Sequence, residues 1–421
     1  MIILRLAWCS LLNRRVTAVL TVLAIALSVT LMLGVEKVRM GTKNGFLNTI
    51  SGTDLIIGAR ASPVQLLLYA VFRIGDATAN ITWQTVTDIK ARPEVAWLVP
   101  ISLGDNHKGF RVMGTTRGYF DHYKYRRQQP LEFAEGSRFD DLYDAVLGHQ
   151  VAATLGYRLG SKIVVAHGAG QVSFGNDHAD KPFRVVGILQ PTGTPVDRTV
   201  HVSMQAIEAI HVGWESGAAP RASNQTSAEA VRLLDLQPRS ATALYVGLKS
   251  RMLAFSLQRW INNYPEEAIS AVLPGVAFGQ LWRILGNLET ALLVISAMVV
   301  FTAILGMVIS VLGSLNERRR EMAILRSIGA RPAHIFGLLL TEAVVLVSVG
   351  TALGTATVYA LLWTGQSAIE EATGLYLHLN VMTANEVYLL MYIMIGGLIA
   401  AVFPAMRAYY LSLSDGLVIR T

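Results

Sequence analysis

VTAVLTVLAIALSVTLMLGV, residues Val16–Val35, is twenty residues long and carries no charge. At a rise of about 1.5 Å per residue, a helix of that length covers the roughly 30 Å hydrocarbon layer of a bilayer. Three further stretches have the same character: Thr290–Gly313, Ile335–Trp363 interrupted only by Glu342, and Val387–Met406 with Pro404 near its end. Apolar helices buried in soluble cores seldom run this long, so the four runs are read as membrane spans. A composition that is 52% hydrophobic and only 15% charged agrees with that reading. The first run exceeds the roughly 7–15-residue apolar core of a secretory signal and lacks a small-x-small cleavage site, so it is expected to stay as an anchor.

Orientation follows from the Lys and Arg residues of the short flanks. Arg5, Arg14 and Arg15 precede the first span, and Arg318, Arg319, Arg320, Arg326 and Arg331 follow the second. The segment 364–386 has no Lys or Arg and carries Glu370, Glu371 and Glu386. Both termini and the Arg-rich loop are therefore expected in the cytoplasm, and the insert Glu36–Gly286 outside. Lys37, Arg39 and Lys43 run against the bias, but long translocated segments are largely exempt from it. The net charge of +7 is accounted for by these flanks and by scattered basic residues, which excludes a nucleic-acid surface. Cys9 is the single cysteine and lies outside the insert, so no disulfide braces the external part.

The fold class that emerges is an α-helical membrane protein of four transmembrane helices with a large α+β extracytoplasmic domain inserted between the first and second spans. Its expected parts are a cytosolic flank with the first helix (1–35), the external domain (36–286), the second span (287–313), a cytosolic loop (314–334), the third span (335–363), a short external loop (364–386), the fourth span (387–406) and a cytosolic tail (407–421). About 250 residues suffice for one large domain or two lobes, with a division expected near 103–145. Within it, Ala145–Leu159 has helical spacing, while Lys162–Ala166 and Phe183–Leu189 read as strands. A turn at QPTGTPVDR precedes a short helix at Ser203–Ile210. Thr242–Leu248 reads as another strand and Met252–Asn263 as a helix. The polar run Trp214–Ser240 is expected to be a loop. Val64–Phe72, VQLLLYAVF, suits either a buried helix or an apolar entrance for an amphiphile.

Between the second and third spans lies NERRREMAILRSIGAR, Asn316–Arg331. A short amphipathic, Arg-rich helix between two membrane spans has no packed core of its own. Met322, Ile324, Leu325 and Ile328 would give it apolar anchors, and its arginines could pair with a partner's carboxylates or with anionic lipid headgroups. Gly329 and Pro332 mark its end. Together with AVLGHQVAATLGYRLGSKI (Ala145–Ile163), FRVVGILQPTGTPVDR (Phe183–Arg198) and PAMRAYYLSLSDGLVIR (Pro404–Arg420), in this order and architecture, the chain resembles the MacB/FtsX-type permease subunits of ABC transporters. The resemblance extends over nearly the whole chain. One departure is Ser414, where many members of the family carry proline.

That resemblance implies a permease that binds no cofactor itself and works with a cytosolic ABC ATPase dimer, which holds the ATP and Mg. Glu317, Arg318, Glu321, Met322, Leu325, Arg326 and Gly329 would form the helix that couples to the ATPase. A second copy of the chain or a homologous permease, membrane lipid and a periplasmic adaptor or binding protein are the other implied partners, in a bacterial inner membrane. The expected work is mechanotransmission for the export or extraction of an amphiphile, lipoprotein, peptide or other small molecule. The alternative is an ATPase-linked signalling or scaffold protein that regulates an external partner.

The chain shows no catalytic signature. Gly156–Lys162, GYRLGSK, lacks the four-residue spacer of a P-loop and the Ser or Thr after its lysine. Ionisable residues inside spans are functional candidates, so Glu342 and Arg407 stand out, with a pair between them as the expected structural use. Gly350 and Gly354 form a small-xxx-small pair suited to close helix packing, within the chain or between copies. His167, Asp177, His178 and Asp180 offer donors that zinc accepts, but their spacing matches no closed site and their glycine-rich surroundings read as a plain hairpin.

Overall fold

The four apolar runs become helices Arg15–Asn48, Pro274–Glu317, Pro332–Thr373 and Ala384–Ser414, called spans 1 to 4, in a computed structural model. It describes residues 2–126, 128–167, 178, 180–213, 226–317, 322, 324, 326, 327, 329–373 and 382–414. The portions long and apolar enough to cross a membrane are Arg15–Gly41, Pro274–Gly313, Pro332–Gly365 and Ala384–Tyr410. At 44 residues, the second helix is about 66 Å long, roughly twice the hydrocarbon thickness. The third runs on through Ser367–Thr373, so much of the expected 364–386 loop is helical. Its sequence, SAIEEAT, contains neither Gly nor Pro to stop it. Glu386 likewise belongs to the first turn of span 4.

The chain divides into two units. One comprises Met1–Gly41, Gly286–Ser367 and Leu377–Thr421, and the other Thr42–Leu285 with Ala368–Tyr376. In the first, the apolar core draws on every span: Ile25, Val29 and Leu33 of span 1, Met307 and Val311 of span 2, Leu339, Ala343 and Val347 of span 3, and Ile393, Ala401 and Ala405 of span 4. Much of the remaining apolar surface faces outward, as on Met298 and Phe301 of span 2 or Tyr392 and Ile399 of span 4. A bilayer supplies the solvent for such residues.

The second unit is built on a mixed sheet of 11 strands among the described residues. From edge to edge its main path runs Ile269–Val272, Leu55–Ala59, Ala243–Leu248, Val95–His107, Phe110–Thr115, Thr199–Ser203, Asp144–Leu147, Phe183–Leu189 and Phe133–Gly136. Pairing is antiparallel except between Thr199–Ser203 and Phe110–Thr115 and between Phe183–Leu189 and Asp144–Leu147. The sheet crosses the region 103–145 without interruption, because Val95–His107 pairs with Ala243–Leu248 on one side and with Phe110–Thr115 on the other. Apolar clusters cover both faces of the sheet: one is centred on Tyr69, Val99 and Tyr245, another on Val112, Val185 and Ile210, and a third on Ile57, Leu244 and Leu257.

Local sequence explains these elements. Ala145–Leu159 was expected to be helical, but Asp144–Leu147 is a strand and the helix is only His149–Leu155. Ala145, Val146 and Leu147 are each fully buried, and a strand covered on both faces has no period to tell it from a helix. The switch falls at Gly148, where a Cβ would sit 2.2 Å from the Val196 carbonyl oxygen. Ser203 caps helix Met204–His211 by accepting from the Ala206 amide at 3.0 Å, and Ser62 caps Pro63–Phe72 in the same way through Gln65. Leu66, Leu67, Tyr69 and Ala70 of the latter helix are buried, so VQLLLYAVF is a core helix and not an open entrance. In QPTGTPVDR the Asp197 carboxylate accepts from the Thr192 amide at 2.9 and 3.0 Å, from the Thr192 hydroxyl at 2.8 Å and from the Gly193 amide at 2.7 Å, which fixes the turn. Part of the expected loop Trp214–Ser240 is helix Ala228–Val231, capped by Ser227, while 214–225 lie outside the described residues.

The first three turns of helix Pro274–Glu317 are part of this domain's core. Ala277, Phe278 and Leu281 are buried there, and the Phe278 ring meets Phe72 edge-on at 5.7 Å.

Candidate functional site

The segment between spans 2 and 3 is framed by Glu317, the last residue of the span 2 helix, and Pro332, the first of span 3. Gly329 has φ +99°, a conformation that favours glycine, and its amide bonds the Arg326 carbonyl at 3.0 Å to close the intervening helical turn. Ile324 is 56% exposed and Arg326 is half-buried. Met322 is half-buried and packs against the apolar core of the spans. Arg318, Glu321 and Leu325 lie outside the described residues, as does Ile328.

Glu342 is 5% exposed inside span 3, whereas Arg407 on span 4 is exposed. Gly350 and Gly354 serve packing within the chain. A Cβ on Gly354 would lie 2.5 Å from the Ala26 carbonyl oxygen and 2.8 Å from the Val29 Cβ, and one on Gly350 would lie 2.7 Å from Ile25. The Thr30 hydroxyl donates to the Gly354 carbonyl at 3.2 Å across the same contact. Small residues thus bring the backbones of spans 1 and 3 together where no hydrophobic effect drives association.

Sequence reasoning missed the charged residues where span 1 leads toward the domain. Lys37 Nζ is 3.0 Å from Glu386 Oε1 of span 4, and the two residues are 8% and 1% exposed. The Tyr359 hydroxyl of span 3 donates to Glu386 Oε2 at 2.9 Å, and Thr383 donates to Oε1 at 2.9 Å. The ammonium of Lys37 also lies 4.8 Å from the Tyr359 ring centre. On another side of the same helix, Arg39 contacts Glu36 at 2.8 and 2.9 Å and Glu289 of span 2 at 2.5 Å. Residues read from sequence as flank charges are therefore interhelical ion pairs. The available signal was two basic residues that broke the orientation bias and one acidic residue at the mouth of an apolar run.

In the domain, His178 is fully buried with its ring 5.7 Å from that of His211, and Asp180 pairs with Lys181 at 3.5 Å. Asp177 and the side chain of His167 lie outside the described residues. Among the described residues no group of three or more His, Cys, Asp or Glu is placed to hold a metal ion. His201 is fully buried against the rings of Tyr119 and Phe120, and burial, aided by the nearby Arg73 cation, pushes its pKa down to about 3. Two adjoining grooves of about 560 and 580 Å³ share Leu142 and Gln205 as lining residues. Beside them Arg232 grips Asp141 through two bonds of 2.5 and 2.6 Å, which holds that carboxyl down at about 2.

The architecture is that of a multipass membrane permease with a large external domain. Residues 18–235 match the MacB-like periplasmic core domain, and residues 293–413 match the FtsX-like permease C-terminal domain. The chain belongs to the MacB/FtsX-type permeases of ABC transporters, proteins of the inner membrane. Solved structures similar to it include the extracellular domain of the noncanonic ABC-type transporter YknZ from Gram-positive bacteria, at 14% identity and TM-score 0.30, covering 52% of this chain and 98% of that one. The periplasmic region of MacB from Actinobacillus actinomycetemcomitans is another, at 11% identity and TM-score 0.34, covering 55% of this chain and 94% of that one. No curated protein matches the sequence.

Proposed function

We propose that this chain is the transmembrane subunit through which a cytosolic ABC ATPase moves a periplasmic domain. The observation that supports the reading best is the pair of matches on one chain, a MacB-like periplasmic core domain followed by an FtsX-like permease domain. Such permeases work with cytosolic ABC ATPases, which makes an ATPase dimer the partner kind. Helices Arg15–Asn48 and Pro274–Glu317 continue unbroken well past the membrane thickness, as elements that tilt as rigid rods require. Entry of the stroke is assigned to the segment after span 2. There Glu317, Arg318, Glu321, Leu325 and Arg326 would face the ATPase, Gly329 would end the helix, and Met322 would tie it to the spans. A second copy of the permease or a homologue would complete the transporter, with both termini in the cytoplasm. The cargo would be an amphiphile, lipoprotein, peptide or other small molecule, exported or extracted.

Coexpression with a candidate ATPase tests this. A stable complex is expected, with hydrolysis lowered by Glu321→Ala and Arg326→Ala. No complex, or hydrolysis indifferent to both changes, overturns the coupling reading. Mass spectrometry of molecules retained by a hydrolysis-blocked complex tests the cargo. A complex that couples but enriches nothing and exports nothing favours the signalling alternative.

A further inference from the structure

We propose that Lys37 and Arg39 are positioning residues that lock the rotation of span 1 about its own axis, so that a stroke passes along it as tilt and not as twist. The inference rests on the coupling reading above and deepens it by naming the residues that hold the lever.

Successive residues of an α-helix point about 100° apart, while residues three apart share a face. Glu36 and Arg39 therefore lie together, facing Glu289 of span 2, and Lys37 faces Glu386 and Tyr359 of spans 4 and 3. Two ion-pair nodes within one turn of helix thus grip span 1 from different sides. Rotation that shortened one contact would lengthen the other, and the forked guanidinium of Arg39, spread between Glu36 and Glu289, tolerates little change of angle. The Gly354 contact with Ala26 and Val29 holds the same helix against span 3 nearer its start, and the Ser28 hydroxyl approaches the span 2 Val299 carbonyl at 3.4 Å. Span 1 is therefore fixed in azimuth at two depths.

Stability alone does not explain these charges. A buried ion pair gains little over well-packed apolar residues of similar volume, because taking two charges out of water offsets their attraction. What it adds is geometry, since only one arrangement satisfies both partners. Glu386 illustrates this: its two oxygens receive Lys37, Thr383 and Tyr359, and the groups that satisfy it come from spans 1 and 3 and from the residue that precedes the fourth helix.

The test is a distance measurement on the purified full-length permease, with Cys9 replaced by Ser so that introduced cysteines carry the only spin labels. Labels go on two exposed positions, Val38 of span 1 and Tyr388 of span 4. Electron–electron double resonance should give one narrow distance distribution, lost in Lys37→Met and in Arg39→Met and restored in the charge exchange K37E/E386K. An unchanged distribution in both single variants overturns the lock. Should the single variants fail to accumulate, the exchange decides alone: a narrow distribution supports the lock and a broad one overturns it. The measurement needs no ATPase. A failed lock with hydrolysis still sensitive to Glu321 overturns this inference only, and an intact lock with hydrolysis indifferent to Glu321 and Arg326 overturns only the coupling reading.

Discussion

Ionisable side chains are buried or half-buried in both units, but the two solve the problem differently. In the domain, Asp197 is held by the backbone of its own turn, His201 is driven neutral, and Arg73 sits among aromatic groups with its guanidinium 3.1 Å from the Tyr245 hydroxyl. Among the spans, Lys37, Arg39, Glu289 and Glu386 satisfy one another across helices. A sheet already fixes the relative positions of its strands, so a buried charge there stabilises local chain. Helices in lipid have no shared ladder, and a charge pair becomes one of the few directional links between them.

Breaking a link between spans should have the largest effect. Lys37→Met leaves Glu386 without its counter-charge and should destabilise the detergent-solubilised permease by about 3–5 kcal/mol, whereas K37L/E386L should recover most of that loss. Thermal unfolding of the two variants checks the contrast, and equal losses in both would contradict it. Gly354→Ala places a methyl group against the Ala26 carbonyl and should cost about 1–3 kcal/mol by the same measurement.

The domain makes the complementary prediction. The pKa of His201 is lowered in the folded state, so its contribution is intact above the unfolded value of 6.5 and is lost as pH falls toward about 3. Between pH 7 and pH 5 the loss should be about 2 kcal/mol. Hydrogen exchange of Thr199–Ser203 in the full-length protein should report it, and His201→Gln should remove the slope. The smallest effect belongs to the Arg232–Asp141 pair, where Asp141→Asn should cost less than about 1 kcal/mol because both groups are well exposed. Its lowered carboxyl makes that contribution present above the usual Asp value of 3.8 and lost as pH falls through about 2.

The two regions also differed in how far the sequence could be read. Spans announce themselves because length and absence of charge are local properties, and Val16–Val35 needs no distant partner to be recognised. Phe183–Leu189 and Ser203–Ile210 were legible for a similar reason, through clustered Val and Ile in one and the preceding turn at QPTGTPVDR in the other. Asp144–Leu147 was not, since a strand buried on both faces loses its alternation. Lys37 and Glu386 were read as opposite topological signals because their meaning lies in a contact between the two ends of the chain. Coupling residues between Glu317 and Gly329 came from motif resemblance, because their partner surface lies on another chain.

The helix Pro274–Glu317 carries a consequence for biogenesis. Its opening turns supply Ala277, Phe278 and Leu281 to a core whose other members begin at Ile50. During synthesis that core stays open until the ribosome has released residues beyond Leu281, when the apolar run of span 2 is already emerging behind them. Completion of the external domain and membrane insertion of the second helix are therefore consecutive events on one stretch of chain. An excised domain that stopped short of Pro274 would lack the wedge beside Phe72 and would expose it to aggregation.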